Sequence, residues 1–278
     1  MRVLLLTSLA MLAFAANSLL CRLALAGTAF DPASFTAIRL VSGALVLWLI
    51  VYWRERRMRP GGSWISAATL FAYAAAFSFA YVSLPAGTGA LLLFGAVQTS
   101  MIAAGLARGE KPGQRQTAGF LLALGGLVLL VRPGLTAAPP LGSLLMIGAG
   151  IAWGIYSLRG RGAGEPIVTT AGNFLRAAPM TLALSLVYSP HARFDHAGAV
   201  YALVSGALTS GLGYVIWYTA LKGLSVTRAA AVQLSVPVLA ALGGILLLGE
   251  SLSLRFLLAS AAILGGIALV VVKRLPKP

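Results

Sequence analysis

Apolar runs of about 20 residues, the length that crosses roughly 30 Å of hydrocarbon, recur along this chain between short polar breaks. They fall at 3–22, 33–53, 64–83, 87–107, 116–131, 141–158, 167–187, 198–218, 226–247 and 254–272. The pattern predicts an all-α membrane protein with ten transmembrane helices. The first run follows Arg2 as the apolar part of a signal peptide would. Its body is too long for that and further spans follow, so it reads as a retained helix. Leu20 precedes Cys21 where a lipoprotein site wants a small residue.

The spans come in two sets. A shift of 140 positions sets Gly109-Glu110 over Gly249-Glu250, Arg115 over Arg255, and Gly125-Gly126 over Gly265-Gly266. Upstream, the same shift pairs Ala80 with Ala220 and Leu84 with Leu224. Near the start it drifts by a residue, pairing Ser18 with Ser157 and Arg22 with Arg161. Each copy is an apolar run, a short Gly-Glu turn, and a second apolar run carrying Gly-Gly. This predicts a duplication with halves at 1–135 and 136–278. Five helices per half is an odd number, so the second half enters from the opposite side and the repeats are inverted.

Composition agrees, with 59% hydrophobic and only 10% charged residues, against roughly 25% charged in a soluble domain. The single Cys21 excludes a disulfide framework. A net charge of +15 in a soluble chain would point to nucleic acid. Here the basic residues stand between apolar runs and mark one side of a membrane, so no nucleic-acid partner is expected. With the N-terminus inside, the inner loops collect Arg2, Arg54, Arg56, Arg57, Arg59, Arg108, Lys111, Arg115, Arg159, Arg161, Lys222, Arg228, Lys273, Arg274 and Lys277. The outer loops receive Arg22, Arg132, Arg193 and Arg255. Both termini are therefore expected in the cytoplasm, with the chain multi-pass in a bacterial inner (plasma) membrane.

Ten helices as two inverted five-helix repeats, each with a Gly-Glu turn and a Gly-rich last helix, resemble the drug/metabolite transporter superfamily, EamA type. The match covers nearly the whole chain. Length and the aromatic third helix further resemble the bacterial YddG-type amino-acid exporters. The resemblance implies a central cavity between the halves and export by alternating access.

Within a bilayer, polar side chains usually face the bundle interior. Asn17, Gln98 and Gln233 are the amides furthest from loops, on the first, fourth and ninth spans. Phe14, Asn17 and Cys21 share one helical face, and Leu91, Phe94, Gln98 and Met101 share another. Tyr73, Phe77 and Tyr81 form an aromatic stripe at four-residue spacing. The sixth span offers Trp153 and Tyr156, and the eighth Tyr214, Trp217 and Tyr218. Asn17, Tyr73, Phe77, Tyr81, Phe94, Gln98, Trp153, Tyr156, Tyr214, Tyr218 and Gln233 are thus the candidate substrate-binding set. Plain helix packing is the competing reading for each. Trp48, Tyr52, Trp53, Trp64, Tyr188 and Tyr201 lie near span ends and read as interfacial anchors.

All six acidic residues lie in loops or at span ends. No carboxylate stands where it could bind a proton or a cationic drug, so transport without a coupling proton is the simpler expectation. Arg39 and Arg176 lie inside spans, shortly after Pro32 and Pro166. Each is either a grip for a substrate carboxylate or a structural residue that snorkels or bonds carbonyls. Pro179 and Pro237 fall inside spans and predict kinks. Gly150 and Gly154 predict close helix packing, and the Gly-Gly pairs offer helices five and ten as a homodimer contact. With no nucleotide-binding loop, metal cluster or catalytic constellation, no cofactor and no enzymatic activity are expected. The partners expected are the lipid bilayer and a small-molecule substrate. An exporter of small zwitterionic metabolites, an exporter of neutral lipophilic compounds and a non-transport scaffold remain open.

Overall fold

A computed structural model describes residues 2–56, 61–107, 109, 113–131, 138–160, 163–224, 229 and 232–271. Among the described residues, the regular secondary structure is all helical, joined by short turns and extended connections. Ten helices follow one another: α1 Arg2–Gly27, α2 Pro32–Glu55, α3 Trp64–Tyr81, α4 Ala86–Ala107, α5 Gln114–Val131, α6 Pro140–Gly160, α7 Pro166–Tyr188, α8 His196–Leu221, α9 Ser235–Leu248 and α10 Leu254–Val271. Six of them, α1 to α4, α6 and α8, are long and apolar enough to cross a membrane, and α9 and α10 are shorter apolar helices. By contrast, α5 opens on the polar turn Gln114-Arg115-Gln116, and α7 carries Thr169, Thr170, Asn173 and Arg176.

The helix starts are set by side chains that satisfy exposed backbone N–H groups. Asp31 accepts from Ala33 and Ser34 at 3.0 and 2.8 Å, with Pro32 in the first turn of α2. Ser63 accepts from Ser66 at the start of α3, and Asp195 from Gly198 at the start of α8. Glu165 makes no such cap and instead pairs with Arg54 at 2.8 Å, tying α7 to the end of α2.

Eight helices close a ring in the order α1, α9, α4, α6, α3, α7, α2, α8 and back to α1. The antiparallel pair α5 and α10 stands outside it, resting on α4. Their glycines serve that pairing: Gly119 lies against Gly266, and Gly126 against Ala259 and Ile263. Gly150 and Gly154 of α6 likewise admit the backbone of α4 at Leu93 and Val97. These contacts lie within one chain.

Two details depart from the sequence pattern. The ninth span was expected from 226, but its first residues lie outside those described, and α9 begins at Ser235. Ala229, Val232 and Gln233 upstream are helical as well, and the winding is interrupted at Leu234, beside the Gln233 carbonyl to which Pro237 has no N–H to offer. Within α8, residues Ser205–Leu212 wind as a π segment. The Gly213 N–H reaches back to the Leu208 carbonyl, five residues earlier.

The Gly-Glu turns share a backbone signature. Gly109 and Gly249 both take the left-handed conformation, with φ of 87° and 64°. After α9 this lets the Glu250 N–H return to the Gly244 carbonyl at 3.0 Å, closing the helix end. Glu110 lies outside the described residues.

Candidate functional site

At the centre of the ring, α2 and α8 approach closely because small residues face each other. Gly43 meets the Gly206 carbonyl and the Phe174 ring, and Gly206 meets the carbonyl of Arg39. Arg39 thereby enters the core and is only 1% exposed. Its Nε donates to Ser210 Oγ at 2.9 Å, and its Nη2 donates to Tyr73 Oη at 3.1 Å and Tyr214 Oη at 3.0 Å. The guanidinium carbon lies 5.1 and 4.9 Å from the ring centroids of Tyr73 and Phe77. Its Nη1 has no hydrogen-bond partner.

The groups holding Arg39 are neutral hydroxyls. The ion pairs Arg22–Glu250 and Arg54–Glu165 lie at opposite ends of the bundle. Among the described residues, every Asp and Glu caps, ends or follows a helix, and none stands mid-helix.

Asn17 of α1 completes the polar cluster. Its Oδ1 accepts from Ser205, Thr209 and Ser210 at 2.7, 3.3 and 3.4 Å, and its Nδ2 donates to Tyr73 Oη at 3.4 Å. The π winding of α8 brings those three hydroxyls onto one side.

Aromatic side chains wall this cluster. Phe14 meets Phe94, Trp153, Tyr214 and Trp217 with ring centroids 5.8 to 6.5 Å apart. Trp153 also lies 5.0 Å from Tyr73 and 4.7 Å from Tyr214. Between them a residual cavity of about 10 Å³ is lined by Phe14, Asn17, Ser18, Tyr73, Phe77, Leu93, Phe94, Trp153 and Tyr214. That is room for about one water molecule. Arg39 is not in this lining and stands behind Tyr73 and Phe77.

A larger cavity of about 300 Å³ opens at the end of the bundle that carries Arg2 and the close of α10. Tyr156, Thr170, Asn173, Tyr218 and Lys222 are among its walls. Tyr156 divides it from the centre, with its ring 5.5 Å from Trp153 and 6.1 Å from Tyr218.

At the opposite end, Tyr81 packs its ring 4.7 Å from Phe77 and donates to the Ala86 carbonyl. Beyond it, Glu250 accepts from Arg22 Nε at 3.2 Å and from the Ala86 N–H with both oxygens, at 3.1 and 2.8 Å. Arg22 also donates to the carbonyls of Tyr81 and Val82. These contacts clasp α1, α3, α4 and α9 together. A second cavity of about 300 Å³ lies beside Glu250.

Of the sequence-predicted set, Asn17, Tyr73, Phe77, Phe94, Trp153 and Tyr214 meet at the central cavity. Tyr156 and Tyr218 line the larger one, and Tyr81 roofs the centre. Gln98 is buried one turn beyond Phe94 with its Nε2 unpartnered, and Gln233, just upstream of α9, donates to the Ala229 carbonyl four residues earlier. Neither lines the cavities above.

The two arginines, expected at equivalent places, part company. Counted from the opening prolines Pro32 and Pro166, the residue matching Arg39 is Asn173. Arg176 lies three positions further, donates to the Gly61 and Gly172 carbonyls and sits 5.9 Å from the Trp64 ring. Asn173, which donates to Tyr156 Oη at 3.3 Å and accepts from the Ser63 N–H at 2.9 Å, lines the larger cavity and is a candidate that the sequence reading missed. Ser205, Thr209 and Ser210 were missed as well. The run of hydroxyls through Ser205–Leu212 was the available signal.

Comparison with known proteins agrees with this architecture. The profile of the EamA-like transporter family matches residues 1–132 and again 140–272. The uncharacterized protein PA1977 of Pseudomonas aeruginosa is 59% identical over 275 residues, covering 99% of this chain and 96% of its own. The uncharacterized transporter YoaV of Bacillus subtilis is 22% identical over 250 residues, covering 85% and 86%. One crystal structure superposes with a TM-score of 0.69 at 22% identity over 96% of each chain, a likeness of fold alone. This chain is a multi-pass membrane protein belonging to the EamA-like transporter family, a transporter and not an enzyme.

Proposed function

We propose that the chain exports small metabolites bearing a carboxylate, amino acids with aromatic side chains among them, by alternating access and without a proton-binding carboxylate. The observation that carries this reading is a polar cluster of Asn17, Arg39, Tyr73 and Tyr214 buried inside an aromatic wall, midway between two larger cavities. Aromatic rings give an apolar substrate body dispersion and stacking contacts. Hydroxyls and amides replace the water its polar end gives up, a loss that left unpaired would cost several kcal/mol. Access would alternate between the Tyr156–Trp153 layer on one side and the Tyr81–Phe77 layer with the Arg22–Glu250 clasp on the other. A neutral lipophilic substrate is the second reading, favoured by the four aromatic hydrocarbon faces of Phe14, Phe77, Phe94 and Trp153.

The arrangement as two inverted halves, 1–135 and 136–278, belongs to the same proposal. Exchanging each helix for the one five places on leaves the order of the eight-helix ring unchanged, which supports it. The bias of Lys and Arg toward the end carrying the termini supports a cytoplasmic placement of both, in a bacterial inner membrane. A reporter fused after Lys277 is expected to read cytoplasmic and one after Arg193 the opposite. A cytoplasmic signal at Arg193 rules out this arrangement.

Purified protein in liposomes should move at least one labelled aromatic amino acid or related carboxylate from a panel. It should do so at similar rates with and without an imposed pH gradient. Movement only of neutral lipophiles favours the second reading, and strict dependence on the pH gradient removes the proton-free mechanism.

A further inference from the structure

The central cluster has an imbalance of donors over acceptors. Tyr73 Oη and Tyr214 Oη each accept an N–H from Arg39, which leaves the hydroxyl proton of each to be donated elsewhere. Both tyrosines line the central cavity. Arg39 Nη1 is a further buried donor without a partner. The one amide acceptor of the cavity wall, Asn17 Oδ1, is already taken by the hydroxyls of Ser205 and Ser210, while Thr209 gives its proton to the Ser205 carbonyl. Of the other walls, Phe14, Phe77, Leu93, Phe94 and Trp153 supply no oxygen, and Ser18 offers one neutral hydroxyl without a partner, able to give or take a single hydrogen bond. A substrate ammonium would therefore find neither a carboxylate nor a free amide oxygen among the cavity's walls. It would also meet the repulsion of Arg39, in surroundings of low dielectric where a charge acts over several ångströms.

A substrate anion meets the reverse. Its oxygens can accept from Tyr73 and Tyr214, whose O–H groups are polarised by the guanidinium behind them. The net charge of site and substrate then falls to zero, which removes the cost of an uncompensated buried cation. The approach points the same way. Among the described residues, the larger cavity leading to Tyr156 includes Lys222 in its walls and no acidic side chain. A mouth of one sign concentrates ligands of the other.

We infer that the species carried is an organic monoanion with an aromatic or apolar body, a 2-oxo or 2-hydroxy acid in preference to the matching amino acid, and that its passage is electrogenic. The inference rests on reading the central cluster as the substrate site and narrows the substrate class of that site. Tyr73 and Tyr214 hold the carboxylate, and Arg39 is a positioning residue that acts through their hydroxyls. With no mid-helix carboxylate among the described residues to carry a compensating proton, each anion moved transfers one negative charge. A membrane potential negative on the cytoplasmic side then drives the anion outward with no ion gradient.

The test uses the intact protein in liposomes on a solid-supported membrane. Phenylpyruvate, phenylalanine and phenethylamine serve as a matched anion, zwitterion and cation, with protein-free liposomes as blanks. Phenylpyruvate should produce a transport current whose sign reverses when its gradient is reversed. Its flux should rise with an imposed potential that repels it from the compartment it leaves. Tyr73→Phe and Tyr214→Phe, which keep the rings and their packing, should each weaken its apparent affinity by about 10-fold or more, the worth of one charge-assisted hydrogen bond. Phenylalanine should move more slowly and without current, and phenethylamine should not move.

Transport of phenylalanine without phenylpyruvate overturns the anion preference and leaves the site standing. Phenylpyruvate flux with no current, indifferent to potential, overturns the electrogenic step. Transport of any probe that is unaffected by both Tyr→Phe changes overturns the site itself.

Discussion

Gly206→Val is expected to yield no folded protein, whereas Gly125→Val is expected to yield protein that runs and melts like the unaltered chain. Both are glycine-to-valine changes within apolar helices, so they differ only in what the new side chain meets. At Gly206 a Cβ would run into the Arg39 carbonyl and the Ser42 hydroxyl. Overpacking against side chains typically costs about 1–3 kcal/mol because they can turn aside. Here the obstacle includes the backbone of α2, so the two helices would have to part. Parting them withdraws Ser210 from Arg39 and opens the Gly43–Phe174 contact at the same time. Around Gly125 no described atom lies within 4 Å of the added carbon. Size-exclusion profiles and thermal melts in detergent compare the two. Equal yields would mean that α2 and α8 are not locked by this contact.

Arg39→Met is expected to abolish transport while leaving the melting temperature within a few degrees of the original. A guanidinium at mid-helix costs about 2.5–3.5 kcal/mol on insertion scales, and hydroxyls alone offset that in part. Methionine fills much of the same volume and relieves the cost. The price is paid by Ser210, Tyr73 and Tyr214, which lose a donor, at about 1–3 kcal/mol for any oxygen left unsatisfied. Hydroxyls can turn to one another or to Asn17, so the two terms nearly cancel. The substrate has no such alternative. Losing the charge behind both tyrosines weakens an anion's hold by about 10- to 100-fold, before any effect on the rate of reorientation. Liposome transport and a thermal melt on the same preparation check both halves. A melting temperature that falls in step with activity would make Arg39 a strut and not part of the site.

Much of this could be read from the sequence, because hydropathy over 20 residues is a strong signal in a bilayer. The expected spans of α1 to α4 and α6 to α8 lie within a few residues of the helices observed. The ninth fared less well. Its apolar residues continue upstream of Ser235, and hydropathy alone does not say where a helix begins. The aromatic stripe Tyr73, Phe77 and Tyr81 was legible from spacing, since a straight helix carries residues four apart on one face. Trp153 and Tyr214 were legible because bulky rings far from span ends need an interior to fill.

The hydroxyls were not legible. Ser and Thr within apolar helices usually bond their own backbone, as Thr170 and Thr219 do. The run of three hydroxyls within Ser205–Leu212 was a signal for exceptions, but residue order does not say which helix they face. The arginines misled for a related reason. Spacing along the chain places Arg39 and Arg176 at similar depth, but which carbonyls or hydroxyls lie within reach depends on the neighbouring helix. Gln98 and Gln233 were singled out for polarity, and polarity does not say which side of a helix faces the cavity.

The π segment of α8 has a consequence for phase. Each residue added to a regular helix turns everything beyond it by about 100°. A wide turn is a way of storing one residue more than regular winding would hold over the same rise. Residues after Ser205–Leu212 are therefore rotated against those before it, and Tyr214, Trp217 and Tyr218 inherit that rotation. Removing one residue from it would leave a helix of nearly the same length and composition, with its aromatic face swung out toward lipid.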